Sequence, residues 1–326
     1  MLDLTRTSRP PWEATLTDGQ HILVLYFLVI AGLALLAGLI RTVLSRVEVG
    51  SRYRPATVAR LAIAAIALVS YGAIVLEFVR GYSPVDGGWR PNGEAVFTFA
   101  IRYMDWSVTV PLLTIELLAV CAVSGIAVRN VQRLAALGAF LMILAGFIGV
   151  FVVGGGDRTT LLVWGAVSSV FWIFTNAVLI WAVRRSLGDL TPQAAALLRS
   201  ATVLLLSGWA IYPVIFVVQA FSFGGQWTTI IQIALCATDV LVKIGFGGLV
   251  HRVAKLRTAE DVRAGDDVHP EAIWISSEKM SDAGLPREVY LSPEAVVHPT
   301  RARPSAGAAV PDTEPDQPPD IPVDLG

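Results

Sequence analysis

Seven stretches of the chain are almost wholly apolar, near residues 20–45, 56–79, 95–128, 131–153, 159–183, 193–222 and 227–251, with short polar turns between them. Each is long enough to cross a bilayer, which takes about 20 mainly apolar residues in a helix. In lipid the backbone must satisfy its own hydrogen bonds, so such spans are helices. The pattern predicts an all-α fold, a seven-transmembrane-helix bundle over residues 20–256. An extracellular N-terminal segment (1–19) precedes it and a cytoplasmic C-terminal tail (257–326) follows. The loop 81–91, GYSPVDGGWRP, has turn chemistry and is expected to form a small hairpin. In the tail, AIWIS (272–276) and EVYLS (288–292) alternate apolar and polar residues with the period of a strand. Two readings stay open there: a small β-hairpin at 271–293, or chance apolar patches in a partly disordered tail.

Charge then orients the bundle. Twelve Lys and Arg residues, from Arg41–Arg54, Arg129–Arg133, Arg184–Arg199 and Arg252–Arg257, flank the spans on one side. Five flank the other: Arg6, Arg9, Arg80, Arg90 and Arg158. Basic residues collect on the cytoplasmic side, so the N-terminus is expected outside and the C-terminus in the cytoplasm of a multi-pass cell-membrane protein. Composition agrees, at 54% hydrophobic and 16% charged over 326 residues. The lipid bilayer is the first partner, and a net charge of −1 argues against nucleic acid. The first twenty residues lack the apolar core of a signal peptide. Cys121 and Cys236 lie in apolar runs and read as packed thiols, and the four histidines have no metal-ligand spacing.

The chemistry lies where charge interrupts the apolar runs. The seventh span carries ALCATDVLVKIGFG (234–247), with Asp239 four residues before Lys243 and therefore on the same helix face. Two readings fit a lysine there: a structural ion pair between helices, or an amine that forms a Schiff base with an aldehyde. The third span, RYMDWSVTVPLLTIELLAV from Arg102, puts Asp105, Thr109 and Glu116 on one stripe, the carboxylates roughly 16 Å apart at 1.5 Å per residue. With Asp239 and Lys243 these groups make an ionisable file through the bundle, the arrangement of a proton relay. Trp106, and Trp209 and Tyr212 of GWAIYP (208–213), are flat aromatic groups suited to sandwiching a long polyene.

RYMDWSVTVPLL, GWAIYP and DVLVKIGFG resemble the signatures of microbial (type I) rhodopsins, over about residues 20–256. The resemblance implies a photoprotein rather than an enzyme. All-trans retinal would be bound covalently as a Schiff base on Lys243, with Asp105 and Asp239 as counterions and Arg102 as partner of the counterion cluster. Trp106, Leu113, Ser168, Trp209, Tyr212 and Pro213 match pocket positions. The Asp105, Thr109 and Glu116 triplet is similar to that of proteorhodopsin-type and xanthorhodopsin-type outward proton pumps, with Asp105 as proton acceptor and Glu116 at the cytoplasmic donor position. Gly165 matches the glycine of xanthorhodopsin-like proteins, which implies a carotenoid antenna at that site. Related rhodopsins form pentamers or trimers, so a homo-oligomer is expected.

Two departures matter. The second span lacks the histidine that proteorhodopsins bond to the acceptor. It carries instead Arg60, at the depth of Glu116 if Tyr71 is the pocket-side tyrosine. Arg60 either snorkels to the headgroups or forms a buried pair with Glu116 that strips the donor of its proton. This arginine is similar to that of the cryorhodopsin group of slow, photochromic sensors. The sequence therefore supports a slow photoreceptor with a proton-transfer core and a tail that meets a cytoplasmic signalling partner. An efficient light-driven outward proton pump is the alternative.

Overall fold

The structure is a computed structural model that describes residues 10–122, 126–153, 157–264, 289–292 and 295–297. Its helices are α1 (Asp18–Ser45), α2 (Arg54–Gly81), α3 (Phe97–Ala119), α4 (Ile126–Phe147), α5 (Arg158–Ser186) and α6 (Pro192–Phe221). The seventh rod runs through α7 (Gly225–Val240), a π-helical turn (Leu241–Phe246) and α8 (Gly247–Ala264). Consecutive helices pack side by side, and the seventh rod closes the ring against α1, α2 and α6. Ile22, Leu33, Val69, Val170 and Val203 face outward as lipid-facing side chains. Among the described residues six helices are long and apolar enough to cross a membrane, and α3 is not one of them. Its 23 residues include Arg102, Asp105 and Glu116. Charge interrupts this helix where the chemistry is densest.

Helix ends follow local rules. Thr17 and Gln20 form a capping box at α1, with Gln20 N to Thr17 Oγ1 at 3.3 Å and Thr17 N to Gln20 Oε1 at 3.0 Å. Asp157 caps α5 by accepting from Thr160 N at 2.7 Å, and prolines open α2 and α6. The third span, expected to reach residue 128, ends at Ala119, and α4 begins at Ile126. Val120 leaves helical geometry (φ −102°, ψ 1°) while its N–H donates to Leu117 O and the next N–H, of Cys121, to Leu118 O. The apolar run VCAVSG hides that break.

The loop after α2 is the expected hairpin: β1 (Tyr82–Val85) pairs antiparallel with β2 (Gly88–Pro91) around Asp86–Gly87. Gly87 sits at φ +85°, where a side chain is disfavoured. Leu16 pairs with Trp89, and the His21 ring stacks on Trp89 with centroids 3.9 Å apart. Trp12 stacks on Phe151 at 5.3 Å, so the N-terminal segment lies over this hairpin end of the bundle. In the tail, β3 (Val289–Ser292) pairs with β4 (Ala295–Val297). The 288–292 strand therefore finds a partner after it in sequence, and 272–276 lies outside the described residues.

At 1.5 Å per residue the 40-residue seventh rod is about 60 Å long, twice the ~30 Å hydrocarbon core. The helix thus continues beyond residue 256, and its last turns tie the basic end together. Arg257 donates to Val120 O at 2.7 Å, Gly50 N to Thr258 Oγ1 at 3.0 Å, and Tyr53 Oη to Asp261 at 2.7 Å.

Candidate functional site

Lys243 lies within the π-helical turn, its side chain sealed from solvent. It donates to Asp105 Oδ2 and stands 3.6 Å from Asp239 Oδ1. The two carboxylates come from facing rods, α3 and α7, so the amine is clamped between them. A buried ion needs this kind of compensation, since unpaired charge in a low-dielectric interior is costly.

The two acids differ in their partners. Asp239 Oδ1 accepts from Trp106 Nε1 at 3.1 Å and Tyr212 Oη at 2.9 Å. Its Oδ2 accepts from Tyr71 Oη at 2.9 Å and Arg102 Nη1 at 3.5 Å. Asp105 Oδ2 also receives Thr109 Oγ1 at 3.4 Å, and Asp105 Oδ1 has no partner among the described residues. Arg102 extends the network with bonds to Tyr71 Oη at 3.0 Å, Gln232 Oε1 at 2.9 Å and Cys236 Sγ at 3.5 Å. Tyr71, read as the pocket-side tyrosine of the second span, bonds both Asp239 and Arg102; Gln232 and Cys236 are not among the residues the motifs singled out as site groups. Their clue lay in position, one helix face turned toward Arg102, which one span alone does not reveal.

Behind this cluster a cavity of about 230 Å³ is lined by Trp106, Trp209, Tyr212, Pro213, Ser168, Gly165 and Trp172, among others. Trp106 and Tyr212 meet edge to face at 4.8 Å. Trp172 Nε1 and Trp209 Nε1 are buried without a hydrogen-bond partner among the described residues. Gly208 makes room for the seventh rod, because a Cβ there would meet Val242 at 2.4 Å. The indole-walled slot and the nearby sealed amine suit a flat, apolar polyene aldehyde, so the residues fit retinal. Leu113, expected at the pocket, is fully buried but does not line this cavity. Ser168 lines it, its hydroxyl bonded to Met142 O at 2.8 Å. Phe216 lies across Gly165, with Cε1 2.8 Å from where a Cβ would stand.

Toward the basic end the expected Arg60–Glu116 ion pair is absent. Arg60 is buried, 6% exposed, so it does not snorkel either. Its Nε donates to Thr42 Oγ1 at 2.9 Å, Nη2 to Ser45 Oγ at 3.0 Å and Nη1 to the Gly247 carbonyl at 3.4 Å. Three neutral acceptors on α1 and the seventh rod satisfy the guanidinium, which turns it aside from α3. Glu116 is 0% exposed, and neither carboxyl oxygen has a partner among the described residues. Gly247 lies between: a Cβ there would stand 3.0 Å from Arg60 Cδ and 3.2 Å from Glu116 Oε1. The positive charge is near the acid without touching it.

The bacteriorhodopsin-like protein family matches residues 21–256. Sensory rhodopsin-2 of Natronomonas pharaonis is 30% identical over 230 residues, 69% of this chain and 88% of that protein. Archaerhodopsin-3 of Halorubrum sodomense is 26% identical over 180 residues, 54% of this chain and 67% of that protein. Among solved structures, xanthorhodopsin, described as a light-driven ion pump with dual chromophore, superposes with a TM-score of 0.69 at 28% identity, over 76% of this chain and 98% of that one. With a clamped lysine at the end of an aromatic slot, the chain belongs to the bacteriorhodopsin-like family and is a microbial rhodopsin, a retinal-binding, light-activated membrane protein.

Proposed function

We propose that the protein is a photoreceptor with a proton-transfer core and a slow photocycle, its hairpin end outside the cell and its basic end in the cytoplasm. The observation that carries this reading is Arg60, a cation sealed beside Glu116. Retinal bound at Lys243 supplies a light-driven double-bond isomerisation and a cationic nitrogen at Nζ. The chain's own groups do the rest. Asp239, saturated by four donors, stays the fixed negative charge. Asp105 faces the amine directly, and a proton from Lys243 Nζ is received at its Oδ2. Thr109 holds the carboxyl in place from one turn along α3.

Glu116, with no hydrogen-bond partner among the described residues, has the setting of a neutral acid, since an unpaired buried carboxylate is expensive. It returns a proton toward Lys243 Nζ and is left as an anion next to Arg60. The weakest Arg60 bond, 3.4 Å to Gly247 O, gives way so that the guanidinium can turn to that anion. A charge-assisted bond of this kind is worth about 1.5–3 kcal/mol, which lengthens the ionised state roughly 10- to 100-fold. A cycle held open in this way suits signalling better than rapid transport. The length of the seventh rod, which ties three connections at the cytoplasmic end, would carry the change toward a tail-bound partner.

The partnerless Glu116 favours a second reading, an outward proton pump. Flash photolysis of the retinal-loaded protein, with a pH electrode in the same vesicle suspension, separates the two. Slow recovery of the dark band with little acidification supports the photoreceptor; fast recovery with strong acidification makes it a pump. Assembly as a pentamer or trimer, and a hydroxylated carotenoid lying at Gly165, are further proposals. The second needs Phe216 to move off Gly165, and mixing with such a carotenoid should then induce a new band that Gly165→Trp abolishes.

A further inference from the structure

Thr42, Ser45 and Glu48 follow one another at three-residue intervals along the C-terminal end of α1 and just past it, and all three face the seventh rod's neighbourhood. Gly247, His251 and Lys255 lie at four-residue intervals on one face of α8. Between these two rows the structure builds a polar ladder. Glu48 Oε2 stands 3.2 Å from His251 Nε2 and 2.6 Å from Lys255 Nζ. One helical turn deeper, about 6 Å at 1.5 Å per residue, the Gly247 backbone touches both Arg60 and the space in front of Glu116 Oε1. His251 is 7% exposed, and the Glu48 side chain 17%. The pair is a buried imidazole joined to a carboxylate that still meets water, and the Lys243 chemistry makes no use of it.

We propose that the His251–Glu48 pair is the proton-uptake group that reloads Glu116 from the basic end, with Arg60 standing beside the route. This rests on the reading of Glu116 as a proton carrier. A proton shared between His251 Nε2 and Glu48 Oε2 passes to the Glu116 carboxylate, and the pair takes another from bulk water. One proton leaves and one enters; no bond to carbon changes and no electron moves. Lys255 and Arg60 are the other charges acting on His251, and Arg41 faces Arg60 from α1. Two cations, Arg60 and Lys255, act on the imidazole, and both repel a proton held there. Imidazole is suited to the task because its two ring nitrogens can take a proton on one side and release one on the other. The route runs between α1, α2 and the seventh rod, off the bundle axis. For that reason a proton bound for Glu116 must pass the Arg60 guanidinium, which ties uptake to the same residue that holds the cycle open.

The test uses the full chain, retinal-loaded, in lipid vesicles, with a wild-type visible band certifying each variant as folded. His251→Gln and Glu48→Gln should each slow dark-state recovery by about tenfold, below the ~10²–10⁴ of a fully committed acid–base group. The double variant should be no slower than either single one, and azide, a small permeant weak acid, should restore the rate. A second readout needs no light: the ¹⁵N NMR titration of His251 in the dark should move in Glu48→Gln and stay in place in Glu116→Gln, because the carboxyl replaced there is neutral. Recovery in both single variants within about twofold of wild type between about pH 5 and 8 would overturn the proposal, as would slowing that azide does not relieve. If Glu116→Gln itself leaves recovery unchanged, the proton-carrier reading fails instead. If Glu116→Gln slows recovery while His251→Gln and Glu48→Gln do not, only the uptake route is wrong.

Discussion

Asp239 and Glu116 are both sealed from solvent, on rods that face each other, yet among the described residues Asp239 takes four hydrogen bonds and Glu116 takes none. Around Asp239 the donors are two phenols, an indole and a guanidinium anchored in turn by Gln232. Around Glu116 stand the Gly247 backbone and an arginine that has turned to hydroxyls. The first arrangement fixes a charge in place; the second leaves a group free to change its charge. One bundle thus holds a rigid electrostatic centre and, toward its basic end, a loosely governed one. The first suits it to hold a chromophore and the second to time its recovery.

The comparison breaks most completely at Lys243. Lys243→Ala removes the amine that both Asp105 and Asp239 face, and the purified protein should show no visible band at all. Absorption spectroscopy decides this. A normal band in that variant would mean the rigid centre holds something other than retinal.

Next in size is the difference between the two acids at Lys243. Asp105→Asn takes away the carboxylate with the free oxygen and should slow proton transfer from Lys243 Nζ by ~10² or more, while the fold survives. Asp239→Asn should act chiefly on stability, because Arg102 is left buried with its charge uncompensated, a loss of about 3–5 kcal/mol. Flash photolysis and thermal melts of the two variants read the contrast directly. Equal effects on both measurements would show that the difference in hydrogen bonding carries no division of labour.

Much of the rigid centre was legible in the chain, and little of the loose one. Lys243, Asp239 and Asp105 stand out because charge in an apolar run is rare and must be paired. Trp106 and Tyr212 were read as chromophore walls, and the structure also makes them donors to Asp239. The depth of Arg60 was readable by counting turns, but its direction was not. A long guanidinium side chain picks its acceptors from whatever lies within reach, and Thr42 and Ser45 come from another helix. His251, Glu48 and Lys255 sit where helix ends meet water, so in sequence they read as solvated charges. The end of α3 at Ala119 was hidden for the opposite reason, since the residues that break it are as apolar as those that continue it.

Arg60→Ala probes the loose end. Removing the guanidinium leaves the anion formed at Glu116 without a cation to rest on, and reprotonation should quicken. Dark-state recovery should shorten by roughly 10- to 100-fold, the equivalent of 1.5–3 kcal/mol of charge-assisted bonding. Adding Glu116→Gln should erase the gain, because an amide has no proton to give. If Arg60→Ala changes nothing, the bonds to Thr42, Ser45 and Gly247 hold the guanidinium through the whole cycle, and Arg60 is structural.

The smallest effect is expected between the two ends, at Leu113. It lies eight residues after Asp105 and three before Glu116, fully buried and apart from the cavity. Leu113→Gln introduces a dipole into this apolar stretch. An amide oxygen directed toward Lys243 Nζ would stabilise positive charge localised there in the dark state, and excitation, which spreads that charge along the polyene, would then cost more. The band should move to shorter wavelength, from a wild-type position in the green. Burial of an amide without full partners should also cost about 1–3 kcal/mol of stability. A thermal melt measured beside the spectrum separates the two consequences. A melt that falls while the band stays in place would put Leu113 in the packing of α3 alone, beyond the electrostatic reach of Lys243. A shift to longer wavelength would mean the amide turns its N–H edge toward the nitrogen, leaving Asp105 and Asp239 as the whole of the electrostatic centre.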